Sequence, residues 1–317
     1  MVFIEDLAEG KKVQNNIFLV RKVTNGVTKK GAPYQSLLLQ DKTGTIEGKI
    51  WSPNDPAFDD VEEGEYVEVS GDVTTFNNAL QLRLNQVRKA QEGTYKASDY
   101  LPSTDKDIEE MYGELLRLVD SVKTDYLKEL LEGFFKDPDF KKRFCFHSAA
   151  KSVHHGYVGG LLEHTLSVAQ ICNFYAKHYP MLDRDLLITA ALCHDIGKLE
   201  EISPYPQNDY TDEGQLVGHI VIGACMLRDK IHQIPHFPHK KAEELIHCIL
   251  SHHGELEYGS PKKPALLEAI ALSQADNTDA KMETMKEALK NTVPGNTEWQ
   301  GYNRYMETNI RRTSEEI

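Results

Sequence analysis

Histidine and aspartate side chains recur on separate apolar segments in the second half of the chain, and this pattern constrains the fold more than any other feature. The adjacent pair His194-Asp195 closes the apolar run Asp-Leu-Leu-Ile-Thr-Ala-Ala-Leu-Cys. Apolar residues at i, i+3, i+4 and i+7 predict that each such segment is a helix packing inward. Imidazoles and carboxylates together suit a divalent transition metal, and the facing helices of a bundle can present them. The other members of the set are His164, His219, His252, His253 and Asp276.

The motifs around these residues resemble the HD-domain family of metal-dependent phosphohydrolases. Gly-Gly-Leu-Leu-Glu-His, Cys-His-Asp-Ile-Gly-Lys and Gln-Ala-Asp follow in the order His…His-Asp…Asp, within a core at about residues 145–290. By position, the resemblance implies that one metal ion is held by His164, His194, Asp195 and Asp276. It implies that His219 and His252, with His253 as an alternate, hold a second ion, and that Asp195 bridges both.

A pair of metal ions would suit this site to phosphodiester hydrolysis. Two cations about 3.5–4 Å apart lower the pKa of a bridging water and hold both the attacking and the leaving oxygen. The bridging ligand has to be a carboxylate, because a neutral imidazole offers a lone pair to only one metal. Asp195 is the carboxylate of the His194-Asp195 pair, so it meets that requirement.

Two further residues are candidates for catalysis, each as a protonated group beside the leaving 3′-oxygen. Lys198 follows Asp195 by three residues, so its ammonium group is expected near a substrate phosphate. The alternative is that Gly197 ends the helix and Lys198 only complements the helix dipole. His155, which follows His154 in a glycine-rich stretch, is expected to reach the substrate from a loop. A solvated loop pair is the alternative for these two histidines.

Five short segments of alternating polarity in the first ninety residues predict a small antiparallel β-barrel. They cover residues 13–23, 34–41, 45–51, 65–73 and 80–87, and we expect a turn at Asn25-Gly26 after the first. With the turn at residues 41–44, Asp-Lys-Thr-Gly, the pattern resembles an OB-fold of the tRNA-anticodon-binding type. OB-folds often bind single-stranded nucleic acid through aromatic platforms and a basic track.

The candidate nucleic-acid contacts of this barrel are aromatic and basic side chains. The expected base-stacking platforms are Tyr34, Trp51 and Phe76. The expected phosphate contacts are Arg21, Lys29, Lys30, Lys49, Arg83 and Arg88. A core position is the alternative for Trp51. The net charge of −13 argues against a bulk electrostatic grip on nucleic acid, so we expect local binding that weakens with salt.

Length and composition indicate a soluble protein with two domains. Of its 317 residues, 27% are charged and 40% are hydrophobic, and no apolar run approaches the ~18 residues of a membrane span. We predict a multidomain fold: a small all-β OB-fold barrel at residues 1–90, followed by an all-α HD-domain helical bundle at residues 91–317. The N-terminus lacks a signal-peptide pattern, and five scattered cysteines predict buried free thiols and a cytoplasmic location.

The last segment, after about residue 290, allows two interpretations. Trp299, Tyr302 and Tyr305 lie three residues apart, which is typical of a packing stripe on one helix face. The alternative is a further base-stacking surface, with phosphate contacts from Arg304, Arg311 and Arg312.

An OB-like barrel joined to an HD domain, over nearly the whole of this chain, closely resembles the YhaM family of bacterial 3′–5′ exoribonucleases. The resemblance implies hydrolysis of single-stranded RNA from its 3′ end to nucleoside 5′-monophosphates, with two divalent ions. Manganese is usual in the family, and the mixed ligands also suit iron(II). The resemblance leaves open single-stranded DNA as a second substrate and a homo-oligomeric state, and it implies no membrane partner.

Two other functions stay open at this point. One is a phosphohydrolase for a small nucleotide such as a cyclic dinucleotide, because HD domains with the additional histidines include such enzymes. The barrel argues against it, since a small ligand needs no separate strand-binding module. The other is a binding protein with a degenerate HD domain, which the complete ligand set argues against.

Overall fold

The structure is a computed structural model that describes residues 2–28, 30–77, 79–96, 99–151, 155–290 and 298–314. The chain divides into two compact units. The first, called the barrel unit, is Met1–Ser103 with Tyr205–Gln207, and the second, called the helical unit, is Thr104–Pro204 with Asn208–Ile317. The predicted boundary after residue 90 stays a prediction. Two candidate residues, Lys29 and His154, lie outside the described residues.

The barrel unit contains a closed barrel of five strands in the order β1-β2-β3-β5-β4. The strands are β1 (Lys12–Val27), β2 (Pro33–Asp41), β3 (Gly44–Ile50), β4 (Tyr66–Phe76) and β5 (Ala79–Lys89). β3 and β5 pair in parallel, and the other neighbours pair antiparallel. Inward positions hold buried apolar residues such as Phe18, Leu37 and Leu82. The predicted small β-barrel is confirmed.

The turn predicted at Asn25-Gly26 is wrong. β1 continues to Val27, and Gly26 pairs with Tyr34 across the β1–β2 ladder. A Cβ atom on Gly26 would lie 2.5 Å from the Tyr34 ring, so the glycine makes room for that ring. The turn lies between Thr28 and Ala32, whose main chains form a hydrogen bond, and Gly31 within it has φ +81°.

Helices form most of the helical unit, and they are α1 (Ile108–Ser121), α2 (Asp125–Phe135), α3 (Pro138–Phe146), α4 (Gly160–His178), α5 (Arg184–Cys193), α6 (Lys198–Glu201), α7 (Asp212–Leu216), α8 (His219–His232), α9 (His239–Leu250) and α10 (Leu267–Lys290). The apolar segments that carry the histidine and aspartate set form α4, α5, α8, α9 and α10. Residues 186–193 of α5 are all buried, so this helix passes through the core. None of the described helices is long and apolar enough to cross a membrane.

The C-terminal segment differs from the all-α prediction. β6 (Trp299–Asn303) and β7 (Thr308–Arg311) form an antiparallel hairpin, so the interpretation of residues 299–305 as a helix face is wrong. The pairing of Tyr302 with Asn309, and φ values of +92° at Gly301 and +51° at Glu307, are incompatible with a helix here. The spacing of three aromatic residues therefore does not produce a common packing face.

The five cysteines are free thiols. Cys145, Cys172, Cys193 and Cys248 are buried, as predicted, and burial raises the pKa of Cys145 to about 12. Cys225 is exposed, so the prediction of a buried thiol is wrong there.

Candidate metal centre

Five elements of the helical unit bring their histidines and aspartates to one place. His164 lies in the second turn of α4, Asp276 lies in α10, and His194-Asp195 directly follow α5. One ligand atom each of His164, His194 and Asp276 lie within 4.8 Å of one another. The same holds for the ring nitrogens of His219, His252 and His253. All seven predicted ligands therefore meet in one centre, and their role as metal ligands stays a prediction.

Asp195 lies between these two groups and presents one carboxylate oxygen to each. Its Oδ2 lies 3.4 Å from Nε2 of both His164 and His194. Its Oδ1 lies 3.5 Å from Nε2 of His219 and 3.6 Å from Nε2 of His252. This division of the two oxygens is what a carboxylate bridging two cations requires.

Three of the histidines use a main-chain carbonyl to fix their ring orientation. Nδ1 lies at hydrogen-bonding distance from such an oxygen in each: His194 to Ala191 (2.8 Å), His252 to Ile249 (2.7 Å) and His253 to Tyr258 (2.8 Å). A carbonyl only accepts, so Nδ1 carries the hydrogen and the lone pair is left on Nε2. All three rings therefore present an Nε2 lone pair to the centre.

Carboxylates fix the other two rings in the same sense. Nδ1 of His164 lies 2.7 Å from Oδ2 of Asp279, and Nδ1 of His219 lies 2.8 Å from Oε1 of Glu201. Sequence reasoning missed both carboxylates. The signal was present for Asp279, which follows Asp276 by three residues on one helix and so shares its face. Such partners orient a ligand ring and make it more basic.

Within the part of the chain that the structure describes, three buried atoms at the centre have no hydrogen-bond partner: Oδ1 of Asp195, Nε2 of His219 and Nε2 of His252. With Nδ1 protonated in both rings, all three atoms carry lone pairs that point toward a shared space. Burying unpaired polar atoms costs free energy, which a cation bound among them would offset. The residues present therefore fit a divalent cation.

Charge within the centre keeps Asp195 ionised. Burial favours its neutral form, but the Lys198 ammonium at 2.6 Å and the His194 ring hold the pKa of Asp195 well below its usual value. Burial likewise favours neutral Lys198, yet the Asp195 charge keeps the pKa of Lys198 above its usual range. Lys198 therefore lies at the centre as a cation paired with Asp195, and its contact with a substrate phosphate stays a prediction.

Gly197 has a different role from the helix end proposed for it. It has φ −64° and precedes α6, so the lysine begins a helix there. A Cβ atom at Gly197 would lie 2.1 Å from the carbonyl oxygen of His219. The missing side chain lets the start of α8 pack directly on the segment after Asp195, which places His219 beside it.

His155 is not on a solvated loop. Its side chain is buried, with Nε2 3.0 Å from Asp279 and Nδ1 3.0 Å from the Tyr157 hydroxyl. A Cβ atom on Gly160 would lie 2.0 Å from the His155 carbonyl oxygen, so the glycine permits this close packing on α4. Asp279 also accepts a hydrogen bond from Ser167, and it therefore connects His155 to His164.

A cleft of about 810 Å³ in the helical unit leads to the centre. Its inner wall includes His164, Lys198, His252, His253 and Asp276. A phosphodiester that enters this cleft can therefore reach both groups of candidate ligands.

In the barrel unit, four of the nine candidate nucleic-acid contacts lie close together. The Tyr34 and Trp51 ring centroids are 5.7 Å apart, and Nζ of Lys49 lies 5.3 Å from the Tyr34 centroid. Arg83 is the register partner of Lys49 between β3 and β5. Trp51 is 51% exposed, so its alternative position in the core is wrong. We call these four residues the barrel face.

The other candidates lie apart from the barrel face or are engaged. Phe76 is 63% exposed at the end of β4, next to the turn into β5. Arg21 donates a hydrogen bond to the Pro206 carbonyl, and Arg88 pairs with Asp59 at 2.8 Å. Lys30 is exposed in the turn that follows β1.

Known proteins resemble each unit separately and the chain as a whole. The HD domain family matches residues 161–281, and the family described as OB-fold nucleic acid binding domain matches residues 19–90. The second OB-fold domain of replication protein A from Methanococcus maripaludis is 22% identical with a TM-score of 0.22, covering 30% of this chain and 98% of that one.

Whole-length relatives identify the family. A protein from Geobacillus named 3′-5′ exoribonuclease YhaM is 34% identical over 283 residues, covering 87% of this chain and 85% of the relative. The protein of the same name from Bacillus velezensis is 34% identical and covers 88% of each chain. The order of motifs predicted this relationship, and it is confirmed: the chain belongs to the YhaM family of 3′–5′ exoribonucleases.

Proposed function

We propose that the protein hydrolyses single-stranded RNA from the 3′ end with two divalent metal ions, and that it releases nucleoside 5′-monophosphates. The observation that carries the proposal is Asp195, whose two oxygens face two separate groups of imidazole nitrogens. The names of the whole-length relatives support the substrate and the direction.

Each ion would have its own ligand set, with Asp195 shared. His164, His194 and Asp276 complete the first set, and His219 and His252, with His253 beside them, complete the second. When bound, the ions supply a hydroxide at neutral pH and neutralise charge on the phosphodiester. The nitrogen and oxygen donors suit manganese or iron(II).

Lys198 is the stronger candidate for the protonated group beside the leaving 3′-oxygen. Its Nζ lies at the centre, and the residue lines the cleft. Its ammonium group can donate hydrogen bonds to a phosphate oxygen or to the leaving oxygen. His155 is buried with both ring nitrogens directed at protein groups, which supports a positioning role through Asp279 instead.

The barrel face would bind the strand away from the reaction. Tyr34 and Trp51 offer ring faces for stacking, while Lys49 and Arg83 offer charge for phosphates. Neither kind of contact reads the ribose 2′-hydroxyl, so we propose single-stranded DNA as a second substrate. The free thiols support a reducing cytoplasm as the compartment.

The test is a time course on a single-stranded RNA labelled at its 5′ end. With manganese we expect a ladder that shortens from the 3′ end, with nucleoside 5′-monophosphates as products, and EDTA should stop it. Asp195→Asn, which keeps the side-chain volume, should be inactive while its circular dichroism spectrum stays unchanged.

A cyclic dinucleotide is the control substrate for the alternative function. Rapid hydrolysis of the cyclic dinucleotide beside an intact RNA would overturn the proposal. Cleavage that continues at full rate in Asp195→Asn with bound metal would overturn the bridging role.

A further inference from the structure

Two exposed tyrosines border the cleft that leads to the metal centre. Tyr258 is 65% exposed and Tyr305 is 72% exposed, and both line the cleft together with His252 and His253. Large aromatic side chains that remain this exposed have a ring face available for a ligand. Both rings therefore stand where a bound strand would pass on its way to the centre.

The backbone holds both tyrosines in place. Tyr258 ends a short 3₁₀ helix, and its carbonyl oxygen is the partner of Nδ1 of His253 at 2.8 Å. Tyr305 lies in the turn between β6 and β7, where Oδ1 of Asn303 accepts from the amide nitrogens of Tyr305 (2.9 Å) and Met306 (3.0 Å). Because the main chain is fixed at both positions, stacking requires ordering of the two side chains but not of the backbone.

The cleft wall carries both cationic and anionic side chains. Cationic Lys198 lies at the centre, beside the candidate ligands. Glu255 and Glu307 line the cleft near the two tyrosines, with Lys281 as a further cation of the wall, and Glu255 pairs with Lys263 at 2.5 Å. Carboxylates repel phosphates but tolerate a neutral base, so the wall beside Glu255 and Glu307, each within three residues of one of the tyrosines, suits bases better than phosphates.

We propose that Tyr258 and Tyr305 stack on the unpaired bases next to the scissile bond and thereby hold the terminal phosphodiester at the centre. This inference rests on the proposed exoribonuclease function and specifies its substrate as an unstacked, single-stranded 3′ end of any sequence. Stacking is tolerant of sequence because every base has a π-face. The proposed stacking role does not extend to Trp299 and Tyr302, which lie on the same hairpin as Tyr305 but are not among the residues that line this cleft.

The experiment compares kcat/KM for wild type, Tyr305→Ala and Tyr258→Ala on two RNAs. The first is an ordinary oligomer, and the second carries abasic sites at its two 3′-terminal nucleotides. On the ordinary oligomer each alanine variant should lose roughly 5- to 100-fold in kcat/KM, mainly through a higher KM. On the abasic oligomer the loss should be less than about twofold, because no base is left to stack.

Two controls separate stacking from damage to the fold. Tyr305→Phe keeps the ring face and should stay within about twofold of wild type, as should Tyr302→Ala on the same hairpin. In EDTA, a 3′-terminal 2-aminopurine should be quenched on binding to wild type and less so with Tyr305→Ala.

Equal losses on the ordinary and abasic oligomers, or no loss on either, would overturn the inference while wild-type cleavage of RNA leaves the proposed function intact. A wild-type protein that fails to cleave RNA would instead refute the proposed function itself.

Discussion

The candidate metal centre and the barrel face are built on opposite principles. In the candidate metal centre the seven residues come from five elements, and the ring nitrogens are fixed by second partners; His164, His194, Asp195 and His252 are buried. In the barrel face the residues lie on neighbouring strands and keep exposed surface, and Lys49 already pairs with Glu47 at 2.6 Å. Reaction chemistry needs fixed lone pairs, whereas sequence-tolerant binding needs only accessible rings and charges.

This difference predicts how the two regions respond to substitution. A buried ligand has no substitute, so its loss should be close to all-or-none. Each residue of the barrel face should contribute separately, so its loss should be graded.

The largest effect should come from removing the shared carboxylate. We expect manganese to bind the folded centre and not the unfolded chain, so at about a hundred times its Kd each bound ion should stabilise wild type by about 2.7 kcal/mol, raising the Tm by several degrees. Asp195→Asn should lose this increase together with all activity, since both ligand sets depend on this residue. Differential scanning calorimetry with manganese and with EDTA measures the increase in Tm. An equal increase in Asp195→Asn would contradict the shared-ligand assignment.

A smaller effect should follow from Asp279→Asn. The asparagine amide has one oxygen, whereas the carboxylate accepts hydrogen bonds at two. We therefore expect the His164 ring to lose its fixed orientation. Metal affinity should fall roughly 10- to 100-fold, measured by titration calorimetry. Glu287→Gln is the matched control, because Glu287 is exposed on the same helix. An unchanged affinity in Asp279→Asn would show that the ring is held without this carboxylate.

Trp51→Ala tests whether the barrel face is graded. Losing one stacking platform should raise KM for a long RNA by roughly tenfold and leave kcat unchanged. A dinucleotide, which leaves no further nucleotides to occupy the barrel face while it is cleaved, should be cleaved at the wild-type rate. A fall in kcat on either substrate would contradict the separation of binding from chemistry.

Lys49→Gln should have the smallest effect. Glu47 and Ser36 already accept hydrogen bonds from its ammonium group, so little charge is left for a phosphate. We expect a change of about twofold in Kd and a decrease in the salt slope of less than about 1, measured by titration at several salt concentrations. Lys12→Gln, an exposed substitution on β1, is the control. A tenfold loss in Lys49→Gln alone would show that the pairing with Glu47 opens on binding.

Local pattern was sufficient for the elements and insufficient wherever distant packing decides the conformation. Alternation predicted the barrel strands, and apolar spacing predicted the helices that carry His164, His194 and Asp276. The spacing of Trp299, Tyr302 and Tyr305 predicted a helix face, but a hairpin forms because Gly301 and Asn303 favour a bulge and a turn. Likewise Asn25-Gly26 predicted a turn, but the glycine lies in a strand, where its missing side chain leaves space for the ring of Tyr34.

The sequence alone determined which residue types meet and in which order, because the ligand motifs and their helices are local features. Only the tertiary structure decided how the centre is arranged. The two oxygens of Asp195 are divided between imidazole groups because Gly197 lets α8 approach within contact distance. Asp279 and Glu201 became ring partners because packing aligned helices distant in the chain. Hydrogen-bond geometry between segments depends on that packing, which no local pattern encodes.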